Sequence, residues 1–173
     1  MKLIVGCDGR EAQSYFDTLR HVAQLAGTEV IFVHVTDQSV QSDWERSATR
    51  RLLGRPPASL ERFNEASARS ANQILEDALT ATTSWPAADR RAVVLAGNPE
   101  RELVRLALAE KADLMAVGQH RLELGPHALG HCARFVVDHA PCTVLVLRGA
   151  DITEAAARLL DSKLKPRYPP DKK

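Results

Sequence analysis

The chain has 173 residues, 45% hydrophobic and 26% charged, the balance of a globular domain with a buried core and not of a disordered segment. A formal net charge of +1 gives no electrostatic case for nucleic acid or an anionic membrane as the main partner. No apolar run approaches the roughly 20 residues of a membrane helix, and the N-terminus lacks a signal peptide's layout, so a cytoplasmic protein is expected.

In chain order, residues 3–7 (LIVGC) are a short apolar run of the kind buried on both faces of a parallel sheet. Asp8-Gly9 closes it and opens a helix over about 11–25. Its Ala12, Phe16, Leu19, Ala23 and Ala26 recur at helical spacing, with Gly27 as C-cap. Residues 30–35 (VIFVHV) complete one strand–helix–strand unit. Residues 36–57 are polar and irregular, with room for a short helix over 42–53, and are expected to cover the binding crevice. A long helix over 58–82 turns Leu60, Phe63, Ser67, Ala71, Ile74 and Ala78 inward until Trp85-Pro86 breaks it.

Residues 91–96 read as the third strand. Asn98-Pro99-Glu100 then supplies an N-cap residue, a proline at the first helical position and a first-turn acid, for a helix reaching Lys111. Its Leu103, Leu106, Ala107 and Glu110 are helically spaced. Residues 114–117 form a fourth apolar strand ending at Gly118. A loop over 119–126 and a helix over 127–139 follow, with Leu129, Cys132, Val136 and His139 on one side and Pro141 as its stop. TVLVL, 143–147, is a fifth buried strand. Residues 1–149 therefore read as one α/β domain. Residues 150–173 read as an extension, with an amphipathic helix over 152–164 and a frayed tail. Alternating strands and helices give an open five-stranded parallel sheet with helices on both faces.

Ligands of such sheets bind beyond the carboxyl ends of the strands, where helix N-termini offer amides. Asp8 and Gly118 end two strands and face one crevice there, although Asp8 has a plainer reading as a cap of the first helix. Cys7 and Cys132 approach the same crevice and are candidates for a redox pair, because a helix N-terminus lowers a thiol's pKa. As buried small hydrophobes they would be inert. His127 and His131 stand four apart on a helix, with His120 and Cys132 close in sequence, a spacing compatible with a transition metal. No carboxylate-bearing catalytic motif accompanies them. No Ser/His/Asp set and no GxxxxGK[ST] phosphate loop is present, so a catalyst is the less expected class.

Three stretches carry a family resemblance: VGCDG at 5–9, His34-Val35 at the end of the second strand, and residues 112–148 with their DLMAVG and HAPCTVLVLR flanks. Over about 2–148 the chain resembles the universal stress protein family. The resemblance implies an adenine nucleotide alpha hydrolase-like fold with strand order 3-2-1-4-5, an ATP or AMP ligand, and a homodimer formed through the fifth strand. It assigns nucleotide contacts to Asp8, to the backbone of Val35, and to Gly118 and Gly130 along the phosphate path. The family's phosphate pattern is altered here. Arg121 stands where a second glycine belongs, the gap from there to Gly130 is one residue short, and His131 replaces a hydroxyl residue. A guanidinium at Arg121 would either clamp phosphate or fill the space that glycine keeps open. The expected function is a stress-response regulatory protein with weakened or absent ATP binding, acting with a further protein partner. The alternatives are an ATP/AMP-binding protein with slow hydrolysis, and a metal or redox sensor.

Overall fold

Nine elements follow one another in a computed structural model that describes residues 1–11, 13–23, 25–36, 58–119 and 129–147. They are β1 (Lys2–Gly6), α1 (Gln13–Val22), β2 (Glu29–Thr36), α2 (Ala58–Ala81), β3 (Asp89–Ala96), α3 (Pro99–Glu110), β4 (Leu114–Gly118), α4 (His131–His139) and β5 (Thr143–Leu147). The strands form one sheet in the order β3-β2-β1-β4-β5. All four pairings are parallel, with Leu3 opposite both Val30 and Leu114.

Successive side chains of a strand point to opposite faces, and here each face has its own core. Leu3, Val5, Val30 and Phe32 pack with Phe16 and Leu19 of α1, Leu75 and Ala78 of α2, and Trp85. Ile4, Ile31, Val33, Met115 and Val117 pack with Leu103 and Ala107 of α3 and Ala133 and Val136 of α4. Trp85 does more than end α2. Its ring centroid lies 6.0 Å from that of Phe32 and 6.4 Å from that of Phe16, tilted contacts that favour an aromatic cluster over simple stacking. Tyr15 and Leu75, absent from the expected helix faces, are buried, whereas Ala26 and His139 are exposed.

Three expectations are corrected. Helix α1 ends at Val22, well before Gly27, which instead takes φ +71 in the turn leading to β2. Helix α4 begins at His131 and not at 127: Gly130 is its N-cap, extended at φ −60, ψ 159. Strand β5 is only half-buried, with Leu147 alone fully covered, because among the described residues it is an edge strand of the sheet. At the other edge β3 alternates exposed and half-buried residues. The irregular segment beyond Thr36 and the whole extension 150–173, with its expected helix over 152–164, lie outside the described residues. Among the described residues no helix is long and apolar enough to cross a membrane.

Candidate functional site

Strand β1 pairs with β2 on one side and β4 on the other. The helices that follow β1 and β4 pack on opposite faces of the sheet, which parts the chain at the carboxyl ends and opens a crevice. A cleft of about 330 Å³ lies there, within the size range of small-molecule sites. Its walls are Gly6–Asp8 and Glu11 after β1, Val33–Val35 of β2, Pro99, Glu100 and Leu103 of α3, Val117 and Gly118 of β4, and Gly130–Ala133 at the start of α4. Five of the expected positions thus meet: Asp8, Val35, Gly118, Gly130 and His131. Arg121 lies outside the described residues.

The β1–α1 turn is organised by its own carboxylates. Asp8 Oδ1 accepts the Arg10 amide at 3.1 Å, a turn bond two residues on. Helix α1 starts at Gln13, five residues beyond Asp8. Glu11 folds back, with Oε1 accepting the Asp8 amide at 2.7 Å and Oε2 the Gly9 amide at 3.0 Å. Gly9 sits at φ +85, and a Cβ there would lie 2.9 Å from Ile74 Cγ1, so the turn requires glycine twice over. Burial raises the Glu11 carboxyl above its ordinary range. The Asp8 amide pulls it back, and the Asp8 charge adds to the rise. His34 Nδ1 donates to the Cys7 carbonyl at 2.8 Å and ties β2 to this turn.

Opposite stand two helix starts. At α3 the Asn98 side chain accepts the Arg101 amide at 3.1 Å, and its Nδ2 donates to Glu100 Oε1 at 2.9 Å. At α4 Gly130 brings no side chain to the first-turn amides, which have no acceptor within a helix. His131 Nε2 lies 3.2 Å from Glu100 Oε1 and bridges the two helix starts. Glu100 is 9% exposed. Burial pushes its carboxyl up, but its own amide, Asn98 and His131 outweigh that and hold it below the ordinary range. It is therefore ionised at neutral pH.

Cys7 and Cys132 both line the cleft. Burial, then the Glu11 and Asp8 charges, push the Cys7 thiol well up. Cys132, in the first turn of α4, is pushed up to about 11 by burial and then by Glu100 and Asp8. Burial and the neighbouring carboxylates thus hold both thiols above the ordinary value, opposite to the lowering expected at a helix start. Among the described residues no group of three or more His, Cys, Asp or Glu is placed to hold a metal ion. His120 and His127 lie outside those residues.

The sequence alone gives no site role to Glu11, His34, Glu100 or Leu103, all of which line the cleft. Glu100 was legible only as a helix-start acid. The signal that would have found it is topological, since every helix that follows a parallel strand starts at the ligand-binding edge of the sheet.

Comparison with known proteins gives the family and the fold. The profile of the Universal stress protein family matches residues 1–148. A universal stress protein of Thermus aquaticus, described as lying in the QAH/OAS sulfhydrylase 3' region, is 32% identical over 131 residues, 73% of this chain and 82% of its own. One from Methanothermobacter thermautotrophicus is 35% identical over 79 residues, 44% of this chain, and only 54% of that relative is spanned. The chain belongs to the universal stress protein family. Among solved structures, universal stress protein UspA from Lactobacillus plantarum superposes with a TM-score of 0.67 at 22% identity, covering 86% of this chain and 97% of that one. The universal stress protein from Archaeoglobus fulgidus in complex with dAMP gives 0.58 at 18%, covering 84% and 96%. These structural likenesses speak for the fold.

Proposed function

We infer that this protein is a non-catalytic, stress-response binding module that holds an adenine compound at the switch-point cleft and holds ATP weakly. The observation behind this reading is the split character of the cleft. The part lined by Gly6, Val33, Val35, Leu103 and Val117 is apolar, suited to a planar base. Val35 lies at the end of β2, where its backbone is available to an adenine edge. The relative crystallised with dAMP supports an adenine compound as the class of ligand. The half where a phosphate would travel, past Gly118 and Gly130, meets Glu100 and His131 instead of a small hydroxyl residue. A nucleoside fits these residues better than a triphosphate does. A cytoplasmic location and a homodimer through β5 complete the reading, the latter because β5 is a sheet edge with half-buried Val144, Leu145 and Val146.

Calorimetry on the purified full chain tests the ligand. Heat on adding adenosine or AMP that is lost in Asp8→Ala supports the reading, and absence of heat with every adenine compound up to millimolar concentration overturns it. Light scattering tests the dimer: a monomeric mass at tens of micromolar protein would remove it. Hydrolysis of ATP above the no-protein blank would favour the ATP-using alternative.

A further inference from the structure

We propose that Glu11 and Glu100 set the ligand preference of the cleft, admitting a phosphate-free nucleoside and turning polyphosphates away. The proposal rests on the adenine-compound reading and specifies which member of that class is held. Two places in the cleft would ordinarily receive an anion. One is the pair of amides in the β1–α1 turn, and the chain's own Glu11 carboxylate already occupies both, at 2.7 and 3.0 Å. A phosphate oxygen would have to evict Glu11 to reach them. The other is the start of α4, where Gly130 brings no side-chain cap, and there the buried, ionised Glu100 lies against His131.

The charges around the walls agree. Among the described residues the lining carries the carboxylates of Asp8, Glu11 and Glu100 and the imidazoles of His34 and His131, with no lysine or arginine. His34 is engaged with the Cys7 carbonyl. At the start of α4 burial raises the Cys132 thiol, and the Glu100 and Asp8 charges add to that rise. Carboxylates are acceptors only. They match the hydroxyls of a sugar and the amino group of a base, which are donors, and they oppose phosphate oxygens, which are acceptors carrying charge of the same sign.

The experiment is calorimetry of the full chain with adenosine, AMP and ATP, for the wild type, Glu100→Gln, Glu11→Gln and the double variant. The wild type is expected to rank adenosine above AMP above ATP. Neutralising both acids should shrink the adenosine-to-ATP affinity ratio by about tenfold or more, chiefly by strengthening ATP, as removal of a close like charge does. A wild type that binds ATP as tightly as adenosine, or a ratio unmoved in the double variant, overturns the proposal and leaves the adenine reading standing. No heat from any of the three compounds in any of the proteins overturns both. Should the variants fail to fold, salt dependence of the wild type decides. Repulsion predicts that ATP gains on adenosine as sodium chloride is raised, and a loss of ATP affinity relative to adenosine refutes it.

Discussion

The two ends of the sheet treat charge in opposite ways. At the amino ends four ionised groups close on one another. Lys2 Nζ lies 2.8 Å from Glu110 and 3.5 Å from Glu29, and Arg91 reaches Glu110 at 2.8 Å and Glu29 at 3.2 Å. Two cations meet two anions, and the carboxyl of Glu110 is lowered by its bonds to Lys2 and Arg91. At the carboxyl ends three acids, Asp8, Glu11 and Glu100, line the cleft with two imidazoles. Glu11 there is raised by burial. The amino end answers its acids with lysine and arginine, and among the described residues the lining of the carboxyl-end cleft holds neither.

The sharpest way to break this contrast is a pair of glycine substitutions, one at each end. Gly9→Ala meets both a left-handed backbone and Ile74 at 2.9 Å, and should lower unfolding free energy by about 2–3 kcal/mol. Gly27→Ala has a φ of +71 but nothing within 4 Å, and should cost about 1 kcal/mol. Urea titration of both variants checks the order, and equal losses would mean that the β1–α1 turn is not the tighter of the two. Next comes Asn98→Ala, expected to cost about 1 kcal/mol as a lost helix cap. It should also raise the Glu100 carboxyl by removing one of its donors, readable by carbon-detected NMR titration.

Glu110→Gln opens the amino-end network and should cost about 1 kcal/mol or less, an amount that high salt erases because the pairs are partly exposed. The smallest effects are in pH dependence, and they carry opposite signs. Glu110 is depressed in the folded state, so its contribution is present above its unfolded pKa and lost as pH falls through the folded value, below the ordinary 4.5. Glu11 is raised, so its contribution is present below the unfolded pKa and fades as pH rises past 4.5 through the folded value. Denaturation midpoints between about pH 3 and 7 should therefore lose part of their acid-side fall in Glu110→Gln, and part of their neutral-side decline in Glu11→Gln. The same direction of change in both variants would erase the distinction between the ends.

The fold was largely legible because parallel strands covered on both faces show as plain apolar runs. LIVGC, VIFVHV and LMAVG could hardly be anything else. TVLVL gave the strand but not its burial, since an apolar run does not say which strand has a missing neighbour. The start of α4 was misplaced because Ala128 and Leu129 continue the helical pattern backward, and only the extended backbone at Gly130 shows where the helix begins. The site was legible in the residues that end strands, Asp8, Val35 and Gly118. It was not legible in Glu11 and Glu100, which stand 89 positions apart in the chain and each look like an ordinary acid near a helix start. Only the strand order brings them to one cleft.

The bare glycine at the head of α4 also makes the protein its own reporter. Asn98 shields the first turn of α3 from within, whereas nothing in the side chain of Gly130 does so for residues 131–133. Amide protons in that turn should exchange quickly in the empty protein and slow when a guest settles over them. Deuterium uptake by this short peptide would register occupancy with no label attached and no knowledge of the guest's name.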